Sequence, residues 1–283
     1  MTVDKSKIRN KRLSTLGRVI IFYLCSLLVL LFTSRMTKGL SPNVADLLSI
    51  FLASVLTFLL VFMFTRWENL HLKNVGVIPG NATVQRFIVG YAIGLLMSAI
   101  QGLTVLTFGH VRFTSVANIT VIQILVPFLL YLFVACREEL VFRSYSLRSL
   151  DYSFSSAVAL FFITVIFILE HVVAGMTWKM AIIGSGLGGI LFGLAALKTR
   201  GLALPLGLHS AWNFGQWMLG FKNKPGILDA VVESGYEQQT ENISLAAFSL
   251  VMLLTIAGIV LVYKRGSTVS GLKPETQISS AST

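Results

Sequence analysis

Val121-Ile-Gln-Ile-Leu-Val-Pro-Phe-Leu-Leu-Tyr-Leu-Phe-Val-Ala-Cys136 holds one amide and no charge, and Arg137-Glu138-Glu139-Leu-Val-Phe-Arg143 follows it directly. The apolar pattern does not stop at the charges. Leu140, Val141, Phe142, Tyr145, Leu147 and Leu150 carry it on. A charge at the centre of a membrane helix costs about 2.5–3.5 kcal/mol on insertion scales, so four of them on one apolar helix need a reason. We read a single helix over 121–149 that runs past its charges and holds them partly immersed, facing a protein interior.

Working outward, similar apolar runs recur at about 17–34, 46–66, 86–108, 154–174, 178–198, 201–220 and 243–263. Runs of about 18 or more residues can cross a hydrocarbon core of about 30 Å. Without water to satisfy the backbone, uninterrupted runs of this kind must be helices. Composition agrees: 55% of the chain is hydrophobic and 12% charged, against about 25% charged in soluble domains. The expectation is an all-α polytopic integral membrane protein, a single membrane domain over 1–283 with about eight transmembrane helices and an intramembrane polar cavity. The segment 67–85 reads as an interfacial stretch and loop, with a Pro79-Gly80 turn signal. The stretch 221–242 reads as an acidic loop, and the Ser/Thr-rich tail from 266 as mobile.

The net charge of +11 does not indicate nucleic acid, because the basic residues sit mainly between the apolar runs. There they set topology. Lys and Arg number about 15 on the N-terminal side and about 6 on the other, so the termini are expected in the cytoplasm. The basic start before Val19–Thr33 resembles a signal peptide, but no small-residue cleavage pattern follows, so a retained first helix is the better reading. Cys25 and Cys136 lie inside apolar runs and read as packing residues.

The polar residues inside the runs are the candidate site. Glu139 and Arg143 are four apart and share a helix face, where they can pair. Glu138 is turned by about 100° from Glu139 and can face a cavity. The fifth run contains Phe167-Ile-Leu-Glu-His171, and the seventh contains His209-Ser-Ala-Trp-Asn213, whose two polar ends share a face. Each residue taken singly could be interhelical glue. Depth argues that they belong together. At 1.5 Å per residue, Glu138 and Asn213 lie about 18 Å from the terminus-side ends of their spans, His209 about 12 Å and His171 about 26 Å. These depths overlap within the boundary error, and a cavity open toward the cytoplasm is expected. A carboxylate beside an imidazole can hold and deprotonate water. A second imidazole and an amide can donate to a developing oxyanion. Those parts suffice for water attack on an amide carbonyl.

The motifs Glu138-Glu139-x-x-x-Arg143, Phe167-x-x-x-His171 and His209-x-x-x-Asn213, in that order on successive hydrophobic segments, resemble the type II CAAX prenyl endopeptidase family. Its prokaryotic members are also called CPBP or Abi intramembrane proteases. The resemblance covers about 125–217. It implies an intramembrane endopeptidase acting on a membrane-associated peptide, prenylated or bacteriocin-like, by glutamate- and histidine-activated water. It implies Glu138 as the general base with His171, and His209 and Asn213 as oxyanion donors. Glu139 would be a second catalytic carboxylate, and Arg143 a structural support. Many relatives have Gly where this chain has Ser144. Members were long described as metalloproteases and later as metal-free. Two His and a Glu could hold zinc in principle, but here they come from three helices without a compact signature such as H-E-x-x-H, so no cofactor is expected.

Partners are then the lipid bilayer and a membrane-associated peptide or protein, with a prokaryotic plasma membrane as the location. The rival readings are a non-catalytic immunity or scaffold protein and a proton-coupled transporter, since buried carboxylates and His also mark ion paths. Gly184-Ser-Gly-Leu-Gly-Gly189 loosely matches a nucleotide-binding pattern but has no preceding strand. The pairs Gly184/Gly188 and Gly189/Gly193 read as close helix packing. Trp67, Trp178 and Trp217 read as interfacial anchors.

Overall fold

The structure is a computed structural model that describes residues 5–222 and 224–264. The tail from 266 lies outside the described residues. The chain forms α1 (Lys5–Met36), α2 (Pro42–Trp67), α3 (Thr83–Phe108), β1 (Val111–Ser115) and α4 (Val121–Glu139). A π segment, Leu140–Ser146, lies between α4 and α5 (Leu147–Ser153); the chain continues past its charges, but not as the single helix expected, because it kinks at Ser144, whose φ of −88° and ψ of −108° are not helical. Then come α6 (Ser156–Val173), α7 (Trp178–Met180), a second π segment at Ala181–Ser185, α8 (Gly186–Thr199), α9 (Ala203–Met218), β2 (Leu228–Val232) and α10 (Glu237–Lys264).

Local chemistry sets the boundaries. Pro42 opens α2 where its missing N–H costs nothing. Thr120 and Gln123 form a reciprocal capping box at α4, and the Ser155 side chain caps α6. α8 stops at Arg200, which takes the left-handed conformation with φ 53°.

Among the described residues, seven helical stretches are long and apolar enough to cross a membrane: Lys11–Met36, Pro42–Trp67, Thr83–Phe108, Val121–Ser153, Ser156–Val173, Trp178–Thr199 and Glu237–Tyr263. The chain is an all-α polytopic membrane protein. The eighth expected span is α9, which has only 16 residues. It need not face lipid along its length, because it packs against α3, α4 and α8. Large apolar side chains such as Leu28, Phe32, Leu103, Phe161 and Leu254 lie on the outside of the bundle. That is the reverse of a water-soluble surface and suits a hydrocarbon solvent.

α9 reaches its central place through small residues. A Cβ at Gly207 would run into the backbone carbonyl of Phe87 and lie 2.8 Å from the Tyr91 nitrogen; one at Gly90 would meet the Leu204 carbonyl. The α3–α9 contact is therefore backbone on backbone. The expected packing glycines are only half right. Gly189 and Gly193 do press on α6 at Thr164 and Leu160, but Gly184 has open space and Gly188 meets only Phe192 of its own helix. A wide π turn, rather than the regular helix that the spacing assumed, carries Gly184.

Two further expectations are corrected. The stretch 221–242 is not simply loop: β2 within it pairs antiparallel with β1, Phe113 opposite Ala230. Five residues with a single charge gave too weak an alternation to read as a strand. Trp217 is 9% exposed and stacked on Phe214, while Trp67 and Trp178 are well exposed.

At the end of the bundle that holds the start of α1, Glu68 gathers Arg18 (3.2 Å), the Tyr145 hydroxyl (2.8 Å) and the Ser149 hydroxyl (2.5 Å). The β1–β2 ribbon and the Lys179–Asn242 contact mark the opposite end. Gly207→Ala tests the α3–α9 contact. Alanine gains about 1 kcal/mol of helix propensity, but a Cβ against rigid backbone costs more, so net destabilisation of about 2 kcal/mol is expected. Thermal unfolding in detergent should show a clear loss for Gly207→Ala and none for Gly184→Ala.

Candidate active site

The charges that follow the apolar run of α4 find different partners. Arg137 donates to Glu170 of α6 at 2.6 Å, and Tyr23 of α1 donates to the other oxygen of the same carboxylate at 2.9 Å. Glu170 therefore neutralises Arg137, and does not bear on its neighbour His171. Arg143 is fully buried, and its guanidinium lies 4.5 Å from the centre of the Phe167 ring, 5.4 Å from Phe142 and 5.6 Å from Phe192. Its Nε is 3.7 Å from Glu139 Oε2. The aromatic faces and this carboxylate are what compensate the buried cation.

Glu139 is also fully buried, and its Oε1 lies 2.9 Å from His209 Nδ1 on α9. Ionised Glu139 only accepts, so Nδ1 carries the proton and Nε2 is turned the other way. There it meets Glu138, with Oε2 at 3.6 Å. The 100° step between consecutive helical residues is what lets neighbouring carboxylates reach opposite nitrogens of one ring. Phe192 stacks on that ring at 4.4 Å, nearly parallel. Among the described residues, Glu138 Oε2 has no hydrogen-bond partner.

His171 sits two residues before the end of α6. Its Nδ1 is 2.8 Å from the Phe167 carbonyl, which accepts from it and leaves Nε2 for the space beyond. Among the described residues it has no hydrogen bond or ion pair to Glu138. Asn213 Oδ1 accepts from Lys222 Nζ at 2.9 Å, so the amide N–H groups of Asn213 point away from the lysine. His171, His209 and Asn213 line one cavity of about 770 Å³.

That cavity does not open where the depths suggested. Its outer wall is built from Val111, Met176, Lys222, Asp229, Glu237 and Glu241, at the ribbon end of the bundle, opposite the start of α1. The linear depth estimate put His171 deepest from the terminus side; the bundle turns that depth into nearness to the other face. At the terminus end a second, mainly apolar cavity of about 880 Å³ lies between α2, α4 and the segment 73–87, and Glu139 and Cys136 reach its wall.

Sequence reading missed three parts of the site. Lys222 was counted only as a loop charge. Its side chain is accessible from the cavity while protein surrounds it, and that desolvation lowers its pKa against the pull of Glu138. Its ammonium also lies 5.6 Å from the Tyr131 ring. Gln216 donates to Gln101 at 2.7 Å, and Gln101 donates to Ser244 at 3.0 Å, a polar shelf shared by α9, α3 and α10 on the cavity wall. Amides on apolar helices were the available signal for that shelf. Phe192 gave none. For zinc, the fit is poor: among the described residues no three His, Cys, Asp or Glu side chains converge as metal ligands, and His209 Nδ1 is already committed to Glu139.

Residues 120–215 match the family model described as type II CAAX prenyl endopeptidase Rce1-like. This segment is similar to that family. The match covers about a third of the chain and takes in α4 through most of α9, the elements that carry Glu138, Glu139, Arg143, His171, His209 and Asn213. The Rce1-like family is a protease family, which supports a CAAX-type intramembrane peptide hydrolase as the general class. A search of curated proteins found no match.

The buried Glu139–Arg143 pair can be tested apart from catalysis. Arg143→Met takes the buried counter-charge from Glu139 and leaves it only the His209 contact, which should cost about 3 kcal/mol. Arg143→Met with Glu139→Gln removes both charges and should recover a large part of that loss. Thermal unfolding of the two single variants and the double variant reads the coupling directly.

Proposed function

We propose that this chain is an intramembrane endopeptidase in which Glu138 activates a water for attack on a peptide bond of a membrane-associated substrate. The observation that carries the reading is the His209 ring held between two carboxylates, Glu139 at 2.9 Å and Glu138 at 3.6 Å, at the wall of a cavity that also holds His171 and Asn213. Each carboxylate keeps an oxygen without a hydrogen bond among the described residues, but Glu139 already spends Oε1 on His209 while Glu138 accepts no hydrogen bond there, so Glu138 is assigned as the base. His171 directs Nε2 into the same space and helps hold the water. As the water oxygen bonds to the carbonyl carbon, its proton passes to Glu138. The carbonyl oxygen becomes an oxyanion and is met by the Asn213 amide, with the His209 ring beside it. Collapse breaks the C–N bond, and Glu138 returns the proton to the leaving amine.

Glu139 has a positioning role through His209, and Arg143 holds Glu139. Preorganised donors of this kind work best where water is excluded, which the apolar helices around the cavity provide. We route no step through a metal, because the side chains do not gather as a ligand set. In this reading 1–283 is one membrane domain with 125–217 as its catalytic core, in a prokaryotic plasma membrane with both termini cytoplasmic.

The test uses purified protein in lipid and a panel of membrane-tethered peptides, prenylated and unprenylated. Wild type should cleave at least one member, and Glu138→Gln should lower kcat by about a hundredfold or more with unchanged thermal unfolding. Cleavage should survive a strong chelator. Equal cleavage by wild type and Glu138→Gln would remove Glu138 from the chemistry. Proton or solute flux in liposomes without cleavage would favour the transporter.

A further inference from the structure

The two ends of the bundle differ in charge as well as in openness. Lys11, Arg12, Arg66, Lys73, Arg86, Arg148, Lys198 and Arg200 belong to the end where α1 begins, together with the basic residues before Lys11. The ribbon end has Arg35, Lys38, Arg112, Lys179, Lys222 and Lys224. Basic residues within about 15–20 positions of a span hold their end on the cytoplasmic side, while acidic residues contribute little to orientation. The dense basic stretch before the first span falls inside that window.

The cavity with His171, His209 and Asn213 is walled at its outer part by Val111, Met176, Lys222, Asp229, Glu237 and Glu241, all at the ribbon end. Among the described residues, none from the opposite connections at 68–82, 154–155 or 200–202 lines it. The two observations are independent, one a matter of sequence statistics and one of packing. Together they fix which compartment feeds the site.

We infer that the reactive cavity opens on the extracytoplasmic face, and that its substrates are peptide segments presented on that side of the membrane. The choice of a peptide as substrate rests on the proposed hydrolase; the orientation does not. Peptides on the cytoplasmic side meet instead the separate, mainly apolar cavity that Glu139 reaches, while His171, His209 and Asn213 line the outward one. Exported peptides, and the outer ends of membrane-anchored ones, reach the cavity lined by His171, His209 and Asn213 from water through the ribbon-end mouth.

Cysteine labelling in intact cells tests this without any cleavage assay. Lys224→Cys and Glu233→Cys report the ribbon end, and Lys73→Cys reports the other; all three positions are exposed. The parent chain, with Cys25 and Cys136 in place, is the blank. A membrane-impermeant maleimide should label both ribbon-end variants in intact cells as fully as after permeabilisation, and should label Lys73→Cys only after permeabilisation. Labelling of Lys73→Cys in intact cells, or of neither ribbon-end variant, overturns the inference. Since the readout is orientation alone, it stands or falls separately from the loss of cleavage in Glu138→Gln.

Discussion

The contact of His209 with Glu139 is the constraint on which the rest depends. It joins α4 to α9 across 2.9 Å, and Glu139, fully buried, has no water as an alternative partner. Once Nδ1 is committed, the ring plane is set, Phe192 can stack on it, and Nε2 has only one direction to face. That direction is toward Glu138. A short helix such as α9 can hold so polar a residue only because α3, α4 and α8 surround it, and α3 comes close enough only because Gly90 and Gly207 lack side chains.

The dense run of charge on α4 is a division of labour. Arg137 is spent on Glu170, whose other oxygen accepts from Tyr23, which ties α4 to α6 and α1. Arg143 and Glu139 compensate each other within one turn, and the aromatic cage of Phe142, Phe167 and Phe192 shields the pair. Buried charges of this kind add little net stability over apolar residues, but losing one partner is expensive. They are better understood as a means of fixing position. Glu138 accepts no hydrogen bond among the described residues and lies 3.6 Å from an imidazole whose orientation is already determined.

The loop after α9 connects the site to its surroundings. Lys222 reaches back from it to Asn213, and the same loop continues into β2, whose pairing with β1 ties the ends of α3, α9 and α10 together around the mouth. The polar shelf of Gln101, Gln216 and Ser244 lies along the wall between that mouth and His209. A peptide backbone entering from the ribbon end would therefore meet amide and hydroxyl groups before it meets the carboxylate.

What the sequence determined by itself was the solvent of the protein and the inventory of its site. Apolar runs long enough to span a bilayer leave the backbone only one way to satisfy its hydrogen bonds, so the helices were legible from hydropathy, though not the kink at Ser144. The cost of charge in such helices marked Glu138, Glu139, Arg143, His171 and His209 as residues with a purpose, and helical spacing paired Glu139 with Arg143. Only the tertiary structure decided which imidazole faces Glu138, that Glu170 answers Arg137, that Lys222 reaches Asn213, and at which end the cavity opens. The physical reason is that period and hydropathy describe one helix against a uniform solvent. Contacts between helices depend on rotation and depth, which small residues such as Gly207 and single polar bonds set, and these leave no periodic trace along the chain.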